Sequence, residues 1–157
     1  YSGDSGNLYK KGDEREIHDF SLEEVEMRFR HVGHHIEDDH LPEIGSGSGS
    51  FLGIVKKYTN LSISVAEASK RQRNFIENTL KPKNVYSDYR DLEGRENYDV
   101  AIAFQMFEHI KEPLNFINTV YQNINYGGRL ILEMPYAEDP LLKLYNIKEF
   151  KDFYFQK

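Results

Sequence analysis

Glu43, Gly45, Gly47 and Gly49 stand at alternate positions of the stretch Leu41-Pro42-Glu43-Ile44-Gly45-Ser46-Gly47-Ser48-Gly49-Ser50-Phe51. An acid beside three such glycines can hold a nucleotide-like small molecule against bare backbone. Glycine lacks a Cβ, so it takes positive φ and lets the main chain approach a ligand closely. A helix following the glycines would add unpaired N–H groups and the positive end of its dipole. Glu67 lies 22 positions beyond Gly45 (67 minus 45), directly after the alternating run Leu61-Ser62-Ile63-Ser64-Val65-Ala66. A carboxylate at the tip of that strand can accept both hydroxyls of a ribose.

Other readings of the glycine run predict different surroundings. A flexible Gly/Ser linker predicts nothing on either side, whereas helical spacing follows at Phe51 to Tyr58 and then strand alternation ending in an acid. A dinucleotide site needs G-x-G-x-x-G/A. Counted from Gly45, that pattern requires a third small residue at 50, where the chain has Ser50, with Gly49 one place early. Glu43 would also repel a pyrophosphate and suits an ammonium better. A P-loop is ruled out because no Lys-Ser or Lys-Thr closes the run.

Histidines offer two further chemistries. His109 stands just past an apolar strand segment and, with an unperturbed pKa near ~6.5, is the candidate general base if the reaction needs one. A hydrogen bond at a helix start is the structural alternative for it. His31 and His35 are four apart and, with Asp38 and Asp39, would resemble a metal shell. Gly33 interrupts that helix and there is no H-E-x-x-H register, so the reading here is a solvated polar face and no metal.

Glu43-Ile44-Gly45-Ser46-Gly47-Ser48-Gly49 resembles the first motif, E/D-x-G-x-G-x-G, of the class I S-adenosylmethionine-dependent methyltransferases. Two later stretches are similar to the same family: Asn97-Tyr98-Asp99-Val100 through Phe107-Glu108-His109-Ile110-Lys111-Glu112-Pro113, and Tyr126-Gly127-Gly128-Arg129 through Glu133-Met134-Pro135. Together they span about residues 41 to 135, and the flavour is that of small-molecule methyltransferases of quinone, polyketide and sugar biosynthesis. The resemblance implies S-adenosylmethionine as cofactor, bound by Glu43, Gly45, Gly47, Gly49, Glu67 and Gln105. It also implies Asp88 on the adenine amino group with Tyr89 alongside the ring, although Asp88 equally suits a turn. Glu133 and Tyr136 would face the acceptor, and Tyr145, Phe150, Phe153, Tyr154 and Phe155 could wall it. The family's sheet has seven strands; five fit before Pro135, so the chain is expected to end short of the last two and to leave a sheet edge bare or covered by a partner.

The elements needed to position these residues are legible as an α/β alternation, which signals a Rossmann-like, doubly wound and mostly parallel sheet with helices on both faces. Residues 1–19 read as a disordered or extended segment, and 20–157 as one methyltransferase-like domain. A helix is expected over 21–36, with Ser21 and Glu24 as a capping box, Phe20 and Val25 as a hydrophobic staple, and Val25, Phe29, Val32 and Ile36 as its apolar stripe. Ser69 should cap a helix to about Leu80, with Phe75, Ile76 and Leu80 inward. Val85-Tyr86 reads as a short third strand. Pro113 should start a helix whose Leu114, Ile117, Val120, Tyr121 and Ile124 face the sheet, ended by Gly127-Gly128. Pro42 predicts a short first strand, because it removes a ladder hydrogen bond.

Length and composition fit one α/β unit. The chain has 157 residues, 39% hydrophobic and 29% charged, enough to bury a core, with no apolar run near ~20 residues for a membrane span. It has no cysteine and a formal net charge of −6. Disulfides and thiolate metal sites are thereby excluded, and an acidic surface repels phosphate backbones. The expected partner is a small-molecule methyl acceptor, with no nucleic acid, no membrane and a cytoplasmic location; assembly into a homo-oligomer is open.

Overall fold

Five parallel strands form the central sheet, and the structure, a computed structural model, describes residues 14–36, 40–95 and 97–136. In chain order the elements are α1 (Glu14–Val32), β1 (His40–Ile44), α2 (Ser50–Tyr58), β2 (Ser62–Ala66), α3 (Lys70–Thr79), β3 (Asn84–Tyr86), β4 (Tyr98–Phe104), α4 (Pro113–Gln122) and β5 (Ile124–Glu133). Short 3-10 turns occupy Gly33–His35, Tyr89–Leu92 and Phe107–His109. The sheet order is β3-β2-β1-β4-β5, so winding reverses between β1 and β4 and leaves a crevice at the carboxyl ends of those strands. This is the Rossmann-like arrangement expected from the alternation.

Period-2 alternation divides the strand side chains between two cores, which is why the strands read as nearly continuous apolar runs. Leu41, Ile63, Val65, Val100 and Ile102 pack with Phe51, Leu52 and Val55 of α2, Ile76 of α3 and Val25 of α1. Ile44, Ala66, Ala101 and Ala103 pack on the other side with Phe116 and Val120 of α4. Glu43, two residues after Leu41, thereby falls on the face covered by α1 and α2. The same count puts Glu133 on that face, two residues after Ile131, which packs against the first core.

β1 is no shorter than β2 despite Pro42, and it pairs with β2 along its whole length, from His40↔Ser62 to Ile44↔Ala66. Toward β4 its pairing is Glu43↔Ile102, beside the proline that has no N–H to donate. β5 pairs with β4 alone among the described residues, so its outer edge carries no strand there.

Several helix details depart from expectation. α1 begins at Glu14, which puts Phe20 and Ser21 inside the helix rather than at a cap and staple at its start. A capping side chain acts only where the backbone leaves helical geometry, and here it does not. The helix ends at Val32, short of the expected 36, where Gly33 opens a 3-10 turn, and Val25 and Ile36 are buried with Phe29 and Val32 packed beside them. Ser69 does cap α3, accepting from the Gln72 N–H at 3.4 Å, but Phe75 is exposed while Ile76 is fully buried. In α4 the buried residues are Phe116, Thr119 and Val120; Leu114, Ile117 and Tyr121 are exposed. Two apolar stripes share this helix, and the edge-on contacts of Phe116 with Tyr89 and Phe107 select between them. Ile124 and Gly127-Gly128 belong to β5, not to a helix stop. The register runs Tyr98↔Ile124 and then Val100↔Arg129, so the glycines form a bulge in which a Cβ on Gly128 would lie 2.7 Å from the Asp99 carbonyl oxygen.

Candidate functional site

The glycine segment is a tight, hydrogen-bonded turn, which overturns the linker reading. Gly45, Gly47 and Gly49 have φ of 76°, 55° and 76°, a conformation that costs any L side chain. The Gly45 N–H donates to the Ala66 carbonyl at 2.7 Å, the Gly49 N–H to Ser46 at 2.8 Å, and the Gly53 N–H of α2 to Gly49 at 2.9 Å. Glu67 fastens the turn to the next βα junction. Its Oε2 accepts from the Gly47 N–H at 2.9 Å and its Oε1 from the Ser69 N–H at 2.7 Å, while its residue is 8% exposed. Arg73 Nη1 donates to the Glu67 and Ala68 carbonyls, which holds this corner rigid.

A second group of residues gathers across the crevice. Arg28 of α1 donates from Nε to both carboxylate oxygens of Glu133 at 2.9 and 2.8 Å, and its Nη2 lies 2.7 Å from Oε1. Its guanidinium also sits 5.8 Å from the centre of the Phe104 ring. Gln105, just past β4, binds Glu133 twice: its N–H donates to the carbonyl at 2.8 Å and its Nε2 to Oε1 at 2.9 Å. Gln105 has φ of 51°, an unusual state for a residue with a side chain and a pointer to a functional corner. The turn it makes lays Met106 over Gly45, so that a Cβ there would fall 2.4 Å from Met106 Cγ.

Charge in the site is uneven. Glu43 is 4% exposed, and its Oε2 has no hydrogen-bond partner. Burial above all, with the nearby Glu67 charge, pushes its carboxyl up to about 8 against the opposing pull of Arg28. Burial acts on Glu133 in the same direction, but the hydrogen bonds from Arg28 and Gln105 and the arginine's charge outweigh it and leave its carboxyl below the ordinary value. A groove of about 380 Å³ borders the glycine turn at Gly49 and is lined also by Leu22, Glu26, Lys57, Phe75 and Leu80. No strand residue lines it, so it is not the crevice at the strand ends.

The chain matches the model of a methyltransferase domain family over residues 24–157. It belongs to that family. S-adenosylmethionine is the cofactor of these methyltransferases, and the Rossmann-like fold is theirs. Among solved structures it is similar to DesVI of Streptomyces venezuelae, at 14% identity and a TM-score of 0.63, covering 83% of this chain and 61% of that one. It is similar to CalS10 of Micromonospora echinaspora, an amino pentose methyltransferase seen with S-adenosylmethionine, at 16% identity and a TM-score of 0.61, covering 85% and 60%. Coclaurine N-methyltransferase, seen with N-methylheliamine and S-adenosylhomocysteine, is similar at 24% identity and a TM-score of 0.54, covering 85% and 39%. The chain thus spans about three-fifths or less of the length of these three methyltransferases. No curated protein matches it.

The residues expected from the sequence to form a site fall into two sets. Glu43, Gly45, Gly47, Gly49, Glu67 and Gln105 converge at the carboxyl ends of β1, β2 and β4. Asp88 is otherwise engaged: its Oδ1 accepts from the Arg90 N–H at 2.9 Å, its carboxylate pairs with the Arg90 guanidinium at 2.8 and 2.6 Å, and it caps the turn Tyr89–Leu92. Those bonds from Arg90 lower its pKa. Tyr89 has its ring edge-on to Phe116, 5.0 Å between centroids. His109 ends an exposed turn, and its backbone N–H donates to the Met106 carbonyl at 2.9 Å. Tyr136 is exposed, while Asp38, Asp39, Tyr145, Phe150, Phe153, Tyr154 and Phe155 lie outside the described residues. Among those described, no cluster of acids and histidines could hold a metal. His31 Nδ1 lies 2.8 Å from the Met27 carbonyl, and His35 Nδ1 2.8 Å from Arg129 Nη1. No described helix is long and apolar enough to cross a membrane. Arg28 was not foreseen; it is one basic residue on a helix, and only its face alignment with Glu43 could have signalled it.

Proposed function

We propose that this chain transfers the methyl group of S-adenosylmethionine to a small-molecule acceptor of sugar, quinone or polyketide type. The observation that carries the reading is the union of Glu67 with the glycine turn. A rigid carboxylate stands at the tip of β2, beside a turn whose three glycines take left-handed φ and in which Gly47 has open space around it. Each oxygen of Glu67 uses one lone pair on a backbone N–H and keeps another for a ribose hydroxyl. The unpartnered, buried Oε2 of Glu43 suits the cationic aminoacyl end. The cofactor supplies a methyl group on a positively charged sulfur.

The chain's own work is to hold two reactants in line and exclude water, which supplies most of the acceleration for such a displacement. Glu133, the last residue of β5, faces the acceptor, and its hydrogen bond from Gln105, a cofactor-side residue just past β4, joins the two halves of the site. His109 takes the acceptor's proton where that acceptor is a hydroxyl or acidic carbon. A sugar-type acceptor draws further support from CalS10, an amino pentose methyltransferase. The test is calorimetry with S-adenosylhomocysteine and NAD in parallel. Binding of the first alone, lost in Glu67→Ala, is expected; binding of NAD, or of neither, refutes the reading.

A further inference from the structure

We propose that donor binding here is coupled to proton release: Glu43 is held as a neutral acid in the donor-free protein and surrenders its proton to solvent when the cationic aminoacyl end arrives beside it. The inference rests on the methyl-donor reading above and adds to it a proton that no acceptor chemistry requires.

The geometry around Glu43 leaves it without compensation. It is 4% exposed, on the strand face covered by α1 and α2, and its Oε2 lacks a hydrogen-bond partner. An ionised carboxylate in that position would be uncompensated, and buried groups of this kind neutralise instead. The charged groups facing it are few. Arg28, from α1, is the cation in reach, but its Nε and Nη2 hydrogen bonds go to Glu133 of β5. Glu67, at the end of β2, adds a repelling charge. Glu24 of α1 draws on Arg28 as well. From β4 the residue in register with Glu43 is Ile102, which contributes no charge. Three acids, Glu24, Glu43 and Glu133, therefore draw on one guanidinium, Glu67 repels a charge on Glu43, and Glu43, whose Oε2 has no hydrogen bond, keeps its proton.

An arriving ammonium supplies the missing counter-charge, and favours the charged form of a carboxyl within about 4–6 Å. The O–H bond of Glu43 breaks, its electron pair stays on the carboxylate, and the proton leaves to buffer; nothing is oxidised or reduced. With the free group titrating at about 8, roughly nine-tenths of a proton should be released per donor bound at pH 7. The apparent Kd should fall close to tenfold from pH 6 to pH 7 and level off above 8.

The experiment is calorimetric titration of the whole chain with S-adenosylhomocysteine at pH 7 in phosphate and in Tris, whose ionisation enthalpies differ widely. Heats separated by nearly one proton's worth of buffer enthalpy in the natural chain, with the separation gone in Glu43→Gln, are the expected result. Equal heats in the two buffers overturn the proposal, as does a separation that persists unchanged in a folded Glu43→Gln. If that variant does not fold, the pH dependence of Kd in the natural chain decides, and a flat profile between pH 6 and 7 overturns it. Absence of binding in every buffer, checked by equilibrium dialysis, refutes the donor reading itself and is distinct from binding without proton release.

Discussion

Arg28 and Glu133 are 105 residues apart in the chain, and the guanidinium of one grips both oxygens of the other. Helix α1 is thereby fastened to the end of β5, across the strand ends where the candidate site lies. Both side chains remain partly open to solvent, at 26% and 35% exposure, so screening keeps the pair's contribution at about 1 kcal/mol or less. Arg28→Ala should lower unfolding free energy by about that amount plus the lost contact with Phe104, measured by chemical denaturation. The pH dependence identifies the cause. The folded carboxyl of Glu133 is depressed, so its stabilisation is present above the ordinary carboxylate value and disappears as pH falls through the lowered one. The variant should lack that acid limb, and an unchanged limb would show that the pair does not stabilise the fold.

Glu67→Ala removes the acceptor for two backbone N–H groups at once, those of Gly47 and Ser69. Each such loss in a buried corner costs about 1–3 kcal/mol. The variant should therefore unfold at lower denaturant and bind S-adenosylhomocysteine at least tenfold more weakly. Glu67→Asp, which retains the charge but withdraws it by one methylene, should fall between the two. If Glu67→Ala is destabilised yet binds with the natural Kd, the carboxylate is a turn fastener only.

How much of this was legible in the sequence depended on range. The glycine turn and Glu67 were readable because βαβ geometry fixes their distance within one local unit, and the five strands because buried parallel strands are nearly all apolar. Phe75 and Leu114 read as inward because a helical stripe taken alone admits neighbouring faces about one residue apart; Ile76, also read as inward, is buried, while in α4 Phe116 is buried through contacts made by distant residues. Ser21 looked like a cap because capping residues are recognised by type, yet α1 continues through it to Glu14. Gly127-Gly128 looked like a helix stop because glycine marks both stops and bulges, and only pairing with Asp99 and its neighbours decides which. The Arg28–Glu133 pair joins two unremarkable residues across the whole domain, and no local pattern carries that.

The three loop glycines should respond differently to alanine. At Gly47 a new Cβ meets nothing nearer than Gln72 Nε2 at 3.9 Å, so the cost to the fold is the left-handed backbone alone, about 1–2 kcal/mol. At Gly49 the same strain is joined by contacts of 2.9 Å with Leu80 and 3.0 Å with Ile76, in the packed core. Gly49→Ala should thus be clearly less stable than Gly47→Ala in thermal unfolding. At Gly45 the obstacles are Met106 Cγ at 2.4 Å and Cβ at 2.8 Å, so Met106→Ala should relieve the Cγ overlap alone and leave the Cβ contact and the backbone strain. Equal stability of the Gly47 and Gly49 variants would mean that the turn is not held as described.

Glu43 makes the opposite prediction to most buried residues: replacing its titrating carboxyl by a neutral amide should stabilise the protein at neutral pH. Its folded carboxyl is raised from 4.5 to about 8, so the stability it allows is complete below the unfolded value and is lost progressively as pH rises between the two. Each pH unit in that window is worth about 1.4 kcal/mol, so by pH 7 the natural chain has given up roughly 3 kcal/mol relative to pH 4.5 on this account. Glu43→Gln keeps the shape, presents a neutral amide at every pH and escapes that loss. Denaturation of the two chains from pH 5 to pH 8 should show the variant gaining steadily on the natural protein and the difference levelling off above 8. A difference that does not vary with pH would place the proton elsewhere, and a variant that loses ground as pH rises would mean that Glu43 is ionised and paired in the folded chain.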